Sequence, residues 1–318
     1  MDSDSGFYIG FKEHLPDQTS LVCANILKIT YDLGLRIFGE CLKASAPGGE
    51  DEKLIPALIL RDICRHVMAT AILARSGFAE PCDLTVRALY ESCVSLMYML
   101  DGDTARKAAA YRTMDAIDGI KLSRKVSPFT SEGKDLRRNL LDDRLGKLDS
   151  PIFNDVPDAI RELEDILTEL RKDPVREAAF QEYKRIITSK GKGKRRRVRA
   201  WYELFGGPSN IEGLASKTRM LYCYEIFYRH ASRTAHGKNA LRFAAVPRED
   251  GTLDVPIMSS RYIEVVVVTA VNFALVTYRD MIERFCPEMG PVFNGWIVEV
   301  RRLMTQIGMA SSATANGE

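Results

Sequence analysis

Apolar residues recur at three- and four-residue intervals along most of this chain, and Gly or Pro interrupts them at a few definite points. Ile26, Ile29, Leu33 and Ile37 set the pattern, with Leu21 before them. Such intervals return to one face of an α-helix at about 100° per residue, whereas a strand repeats every second residue. An all-α, multi-helix bundle with a charged helical middle section is therefore expected.

The interruptions place the helices. The first is expected to start within residues 17–20, where Asp17, Thr19 and Ser20 are capable N-caps, and to end before Ala46-Pro47-Gly48-Gly49. A second covers 53–76, with Pro56 in its first turn and Gly77 as its stop. A third covers 79–100 and a fourth 103–126, closed by Pro128. Between 131 and 189 charged residues dominate, yet Ile160, Leu163, Ile166, Leu167 and Leu170 keep helical spacing, so three shorter, more exposed helices are expected. Gly206-Gly207-Pro208 forms a turn, and Ser209 or Asn210 caps a long helix that carries residues 222–237. Weak strand character over 241–246 and an Asp250-Gly251 turn suggest a small hairpin. Helices over 259–285 and 291–307 complete the chain, with the tail from Ala310 frayed. The β-branched run 265–268 keeps a sheet-containing alternative open. The whole reads as one domain, with a core over 18–127 and 200–309 and an insertion over 128–199.

Composition narrows the classes. Hydrophobic residues make up 46% of the 318, enough for a large core. The acidic, polar start is no signal peptide. The most apolar run, 263–276, contains Glu264 and Asn272 and falls short of the ~20 apolar residues of a membrane span. A soluble, cytoplasmic protein without membrane contact is expected. The seven cysteines, at 23, 41, 64, 82, 93, 223 and 286, include no Cys-x-x-Cys pair, and there are four histidines. They read as reduced core thiols, with neither a metal site nor a cofactor expected. Net charge is +2, but residues 190–199 hold seven basic side chains. Removing those seven from +2 leaves about −5, so an acidic body carries one basic segment.

The residues that could carry chemistry lie in 222–237. At helical spacing Arg229, Ser232, Arg233 and His236 share one face, and Gly237 stops the helix behind them. A histidine in a last helical turn has its charged form favoured by the helix dipole. Arginine offers a planar fork suited to phosphate. Together they fit binding of a phosphodiester, stabilisation of its transition state and proton transfer, as metal-independent RNA cleavage requires. The competing account is a solvated, ion-paired helix face. No nucleophile elbow surrounds Ser232, so Ser–His hydrolysis is not expected.

Three further groups accompany that face. Arg87 and Glu91, four apart on an otherwise apolar helix, either pair with each other or reach another helix, where Glu91 would orient Arg229 or His236. The basic run, with Lys192, Lys194, Arg195, Arg196, Arg197 and Arg199, is either a nucleic-acid contact or a solvated linker, and Trp201 and Tyr202 beyond it either stack bases or pack in the core. Arg61, Arg65 and His66 form one more basic edge.

The pattern Arg229, polar His230, five residues, then His236 resembles the signature of the higher-eukaryote-and-prokaryote nucleotide-binding (HEPN) superfamily, although Asn is more usual at the second position. A closer resemblance is to a bacterial domain-of-unknown-function family, number 5677, of HEPN-like helical proteins. It rests on Leu84-x-x-Arg87-x-x-x-Glu91 and on Tyr228-x-x-x-Ser232-x-x-x-His236-Gly237, and it covers about half the chain. The resemblance implies a helical fold and a homodimer with facing motifs. It also implies a candidate endoribonuclease of toxin or phage-defence type acting on RNA. Arg229, Ser232, Arg233 and His236 would be its catalytic residues, and Arg87, Glu91, Tyr228 and His230 its supporting ones. The alternative is a non-catalytic helical module that binds a nucleotide or a protein.

Overall fold

Helix after helix begins on an acidic or amide side chain that accepts the free N–H groups of its first turn. Asp17 accepts from Ser20 N–H at 2.6 Å, Asp103 from Arg106 N–H at 3.0 Å, and Asp173 from Val175 and Arg176 N–H at 2.9 and 3.0 Å. The computed structural model describes residues 17–43, 51–141, 156–189, 197–235, 246–247, 253–254 and 262–315. It is all-α. Its helices are α1 Gln18–Lys43, α2 Asp51–Arg75, α3 Ala79–Leu100, α4 Thr104–Val126, α5 Ser131–Leu141, α6 Val156–Leu170, α7 Pro174–Thr188, α8 Ile211–Lys217, α9 Leu221–Cys223, α10 Arg229–Ala235, α11 Ile263–Phe285 and α12 Gly290–Ala315. A two-residue antiparallel ladder pairs β1 Val246–Pro247 with β2 Leu253–Asp254. Helix-forming spacing thus prevails over the β-branched run, which lies inside α11 with Val266 and Val267 buried.

Three expectations change. The long helix beginning after Asn210 is not continuous. α8 ends in a left-handed stop at Arg219 (φ 60°), where Arg219 N–H reaches Ser216 O and Met220 N–H reaches Ala215 O. The same geometry closes α2 at Gly77, through Gly77 N–H to Ala74 O and Phe78 N–H to Leu73 O. Pro56 falls beyond the first turn of α2, because that helix begins at Asp51. Finally, α12 continues through Ala315, its last turns being rich in alanine, the best helix former.

The chain divides into two compact units. The first comprises Met1–Glu40, Leu60–Cys93 and Tyr222–Glu318. Its interior holds Ile26, Leu27, Leu33 and Ile37 of α1, Ile63, Cys64 and Val67 of α2, Val86, Leu89 and Tyr90 of α3, and one side of α11. Tyr278 is wholly buried, with its hydroxyl 3.7 Å from Cys64 Sγ. Gly34 of α1 makes that crossing fit. A Cβ on Gly34 would collide with the Tyr278 hydroxyl and lie 2.6 Å from Cys64 Sγ. By length and composition α11 is apolar enough to cross a membrane, but 56% of its most apolar window is buried within the protein.

The second unit comprises Cys41–Ile59 and Val94–Leu221, and it contains all of the charged section 131–189 that the structure describes. Its centre is α4, whose Ala108, Ala109, Ala110, Met114, Ile117 and Ile120 are buried beneath α6, α7 and the 3₁₀ turn Trp201–Gly206. An ionic staple holds its helices. Asp51, only 7% exposed, accepts Arg112 Nη1 of α4 at 2.7 Å and Arg176 Nε of α7 at 2.6 Å. Each arginine takes one carboxylate oxygen, so the buried charge is compensated on both sides.

Gly34→Ala separates packing from helix propensity. An isolated helix would gain about 0.5–1 kcal/mol from alanine, whereas overpacking against Tyr278 costs about 2 kcal/mol or more. Chemical denaturation should show net destabilisation, and a stabilised variant would contradict the packing. Asp51→Ala should lower unfolding free energy by about 3 kcal/mol, because it strands Arg176 and Arg112 without their carboxylate.

Candidate functional site

The site starts from a helix that is not uniformly α-helical. Between α9 and α10 the residues Tyr224–Tyr228 form a π-turn, with Arg229 N–H bonded to Tyr224 O. Such wide turns recur at functional sites in proteins. The sequence around it is aromatic, and each ring has a destination. Phe227 lies edge-on to Phe273 of α11 at 5.9 Å between centroids, Tyr228 packs on Tyr90 of α3 at 5.5 Å, and Tyr224 stacks on Tyr228 at 5.1 Å. The wide turn lets two successive rings, Phe227 and Tyr228, both find inner partners.

Tyr228 closes a polar cycle with α3. Its hydroxyl donates to Glu91 Oε1 at 2.9 Å, Arg87 Nε donates to the same oxygen at 3.3 Å, and Arg87 Nη2 donates to the Tyr228 hydroxyl at 3.3 Å. The guanidinium also lies 5.1 Å from the Tyr228 ring centroid. Burial pushes the phenol pKa upward, and the neighbouring Glu91 charge reinforces it against Arg87, so Tyr228 stays a donor at neutral pH. Arg87 and Glu91 therefore pair with each other and with a second helix at once. Glu91 accepts from both Tyr228 and Arg87, while Arg229 pairs with Glu225; His236, the other residue that Glu91 was expected to orient, lies outside the described residues.

Asp83 extends this stripe of α3. With Arg87 and Glu91 it falls at successive four-residue intervals, and its Oδ2 lies 3.8 Å from His230 Nε2, an ion pair when His230 is protonated. Sequence reading overlooked Asp83, whose signal was that spacing. His66 of α2 is half-buried and senses Glu91. Burial lowers its pKa first, Asp62 and Glu91 oppose, and Arg65 adds to the lowering. Its neighbours Arg61 and Arg65 share the Asp62 carboxylate at 3.3 and 3.4 Å, so that basic edge is partly neutralised.

On α10 the candidate residues divide by exposure. Arg229 and Arg233 face solvent, Ser232 is half-buried, and Ala231 is fully buried. Arg229 Nη1 meets Glu225 Oε2 at 2.7 Å across one turn of exposed surface. His236 and Gly237 lie outside the described residues, as do Lys192, Lys194, Arg195 and Arg196. Arg197 and Arg199 are described and exposed. Trp201 is a core residue of the second unit, ringed by Tyr98, Tyr111 and Tyr202 at 5.7–5.8 Å, so it offers no stacking face. The adjacent cleft is structural. Lys107 there donates to the carbonyls of Tyr98 and Asp101 at the end of α3, and Arg106 covers Phe205 at 5.1 Å.

All seven cysteines are free thiols, six of them buried. Burial holds Cys23, Cys64 and Cys82 at about 12, far from thiolate reactivity. Among the described residues no group of three His, Cys, Asp or Glu side chains could hold a metal ion.

A family model for DUF5677, a family of unknown function, matches residues 53–251, well over half the chain. The match spans Asp83, Arg87, Glu91, the π-turn and α10, and it leaves α11 and α12 outside. No curated protein and no solved structure matches the chain.

The polar cycle should behave as one unit. Tyr228→Phe and Glu91→Gln should each lower unfolding free energy by about 1–2 kcal/mol, and the double variant should lose less than the sum. A double-mutant cycle by urea denaturation checks this, and strict additivity would show that Tyr228 and Glu91 act independently.

Proposed function

The chain belongs to DUF5677, a family of unknown function, and from that premise we propose that it is a HEPN-like, metal-independent endoribonuclease of toxin or phage-defence type. It works in the cytoplasm as a homodimer and needs no cofactor. One observation carries the reading. Arg229 and Arg233 stand together on an exposed edge of α10, and the helix bearing them is pinned through Tyr228 to Arg87 and Glu91. Exposed guanidinium pairs on a fixed backbone suit a phosphodiester and its more highly charged transition state.

The chemistry follows from these side chains. The 2′-hydroxyl attacks the adjacent phosphorus, the bond to the 5′-oxygen breaks, and a 2′,3′-cyclic phosphate remains. Arg229 stabilises the charge that develops on the phosphoryl oxygens. Arg233 and Ser232 hold the phosphate. His236 moves the proton, taking it from the 2′-hydroxyl or delivering it to the leaving oxygen. Lys192, Lys194, Arg195, Arg196, Arg197 and Arg199 gather RNA by sequence-independent phosphate contacts.

A second reading has its own support. The Arg229 guanidinium is already engaged by Glu225, which an incoming phosphate must displace. That favours a non-catalytic module binding a nucleotide or a protein partner.

Incubation of the purified chain with mixed RNA and a chelator separates the two. Cleavage should yield cyclic-phosphate ends, vanish in His236→Ala, and fall about 100-fold or more in Arg229→Ala. Intact RNA with wild-type protein ends the nuclease reading. Binding without cleavage, lost steeply with added salt, leaves a nucleic-acid-binding protein.

A further inference from the structure

Residues 265–278 of α11 contain no charged side chain, so this stretch is apolar nearly all round. A helix of that kind is ordinarily buried on every side. Here one side is buried in the first unit, through Val266, Val267, Ala270 and Val271. The opposite side stays open. Val265 is 60% exposed and Val268 36% exposed, Asn272 is exposed, and Leu275 and Val276 are half-buried. Arg279, with 57% of its side chain exposed, closes the stripe.

The spacing of the open side identifies what it packs against. Val265, Val268, Asn272, Leu275 and Arg279 follow one another at intervals of three, four, three and four residues. That is the repeat by which one helix packs along another, with Val265, Asn272 and Arg279 at its a positions and Val268 and Leu275 at its d positions. The helix is continuous from Ile263 to Phe285, so the five residues lie along one line about 21 Å long at ~1.5 Å per residue.

We propose that this stripe is a homodimer interface, in which α11 packs in parallel against α11 of a second copy across a twofold axis. The nuclease reading calls for a homodimer but names no contact face, and the stripe supplies one from its own pattern. Asn272 selects the occupant. A carboxamide in the middle of an apolar seam loses water on docking and needs a polar partner at its own level. An unrelated apolar helix offers none, and neither does the hydrocarbon of a lipid layer. A second copy brings its own Asn272 to that level, because in a parallel pair a positions meet a positions, and each amide can then donate to the other. The same symmetry brings Arg279 toward its copy. Asp280 lies 3.6 Å and Glu283 3.9 Å from that guanidinium, so its charge is compensated within each protomer. A seam of this length is small for an interface, so dissociation on the order of micromolar is expected.

The test uses the full-length chain. Sedimentation velocity should show a dimer that dissociates on dilution through the micromolar range. Val265→Asp should remain monomeric up to about 100 µM. Its melting temperature should equal that of wild type when both are measured at a dilution where wild type is monomeric, since Val265 lies outside the core. Asn272→Val should tighten the dimer about tenfold and admit higher oligomers, because a lone amide in such a seam sets register at a cost in stability. Under mild oxidation Val265→Cys and Asn272→Cys should each form a disulfide to the same position of the second copy. Wild type, whose cysteines are buried except for the half-buried Cys223, and Thr305→Cys, exposed on α12, should not.

A chain that stays monomeric at about 100 µM overturns the proposal, as does a dimer indifferent to Val265→Asp. A disulfide at Asn272→Cys without one at Val265→Cys overturns the parallel packing and the proposal with it. Monomeric protein that binds phosphatidylcholine vesicles through Val265 also overturns it and assigns the stripe to a lipid surface. The nuclease reading fails separately. A dimer that meets these criteria and leaves RNA intact keeps the interface and removes the chemistry.

Discussion

A single oxygen, the Tyr278 hydroxyl, sets the geometry of the first unit. It sits in a fully buried place where only a small thiol and a missing side chain allow it to fit. Cys64 supplies a weak hydrogen-bonding partner and Gly34 supplies the space. Once α1, α2 and α11 are locked at that crossing, the remainder follows along α11. Phe273, just over one turn earlier, receives the Cys93 thiol on its carbonyl and packs its ring on Tyr90 at 5.2 Å and on Phe227 at 5.9 Å. Tyr90 then meets Tyr228. An aromatic chain therefore connects the core crossing to the π-turn, and the candidate site inherits its position from it.

The two units use charge in different ways. In the second, Asp51 is buried and each of its oxygens has a guanidinium, an arrangement in which removal of one member leaves an uncompensated charge. In the first, the Asp83, Arg87 and Glu91 stripe is only partly covered, and its bonds reach across to His230 and Tyr228. Arg229 and Glu225 are both exposed, so water screens the pair and its contribution to stability is small. The gradient runs from scaffold to exchangeable surface. A charge pair that contributes little to folding is also one that a ligand can break at little cost.

Helix positions were largely legible because their signals are local. Gly77 announced its stop, and the start at Asp17, the span of α3 and the three helices of the charged section fell where spacing put them. The stop at Arg219 was not legible, although its hydrogen bonds repeat those at Gly77, because arginine in a left-handed conformation carries no composition signal. The π-turn was hidden for the same kind of reason, since it is stabilised by rings on other helices. At the site, Arg87, Glu91 and Tyr228 were readable as residues but not as one cycle. Spacing places side chains on a face and says nothing of which helix that face meets. Trp201 beside a basic run could be read either as a stacking platform or as core, and its tertiary neighbours show it to be core.

The contacts around Tyr278 have a consequence for synthesis of the chain. Cys64 and Tyr278 are separated by 214 positions, and Cys93 and Thr277 by 184. At ~5–20 residues per second a ribosome needs roughly 10–40 s to supply the second member of the first pair. Through that interval the inner faces of α1, α2 and α3 lack α11. The second unit, by contrast, is completely translated at Leu221, before α10 and α11 exist. The unit that begins first along the chain is therefore the one finished last. The inner faces of α1, α2 and α3 thus stay open as an apolar seam until α11 emerges.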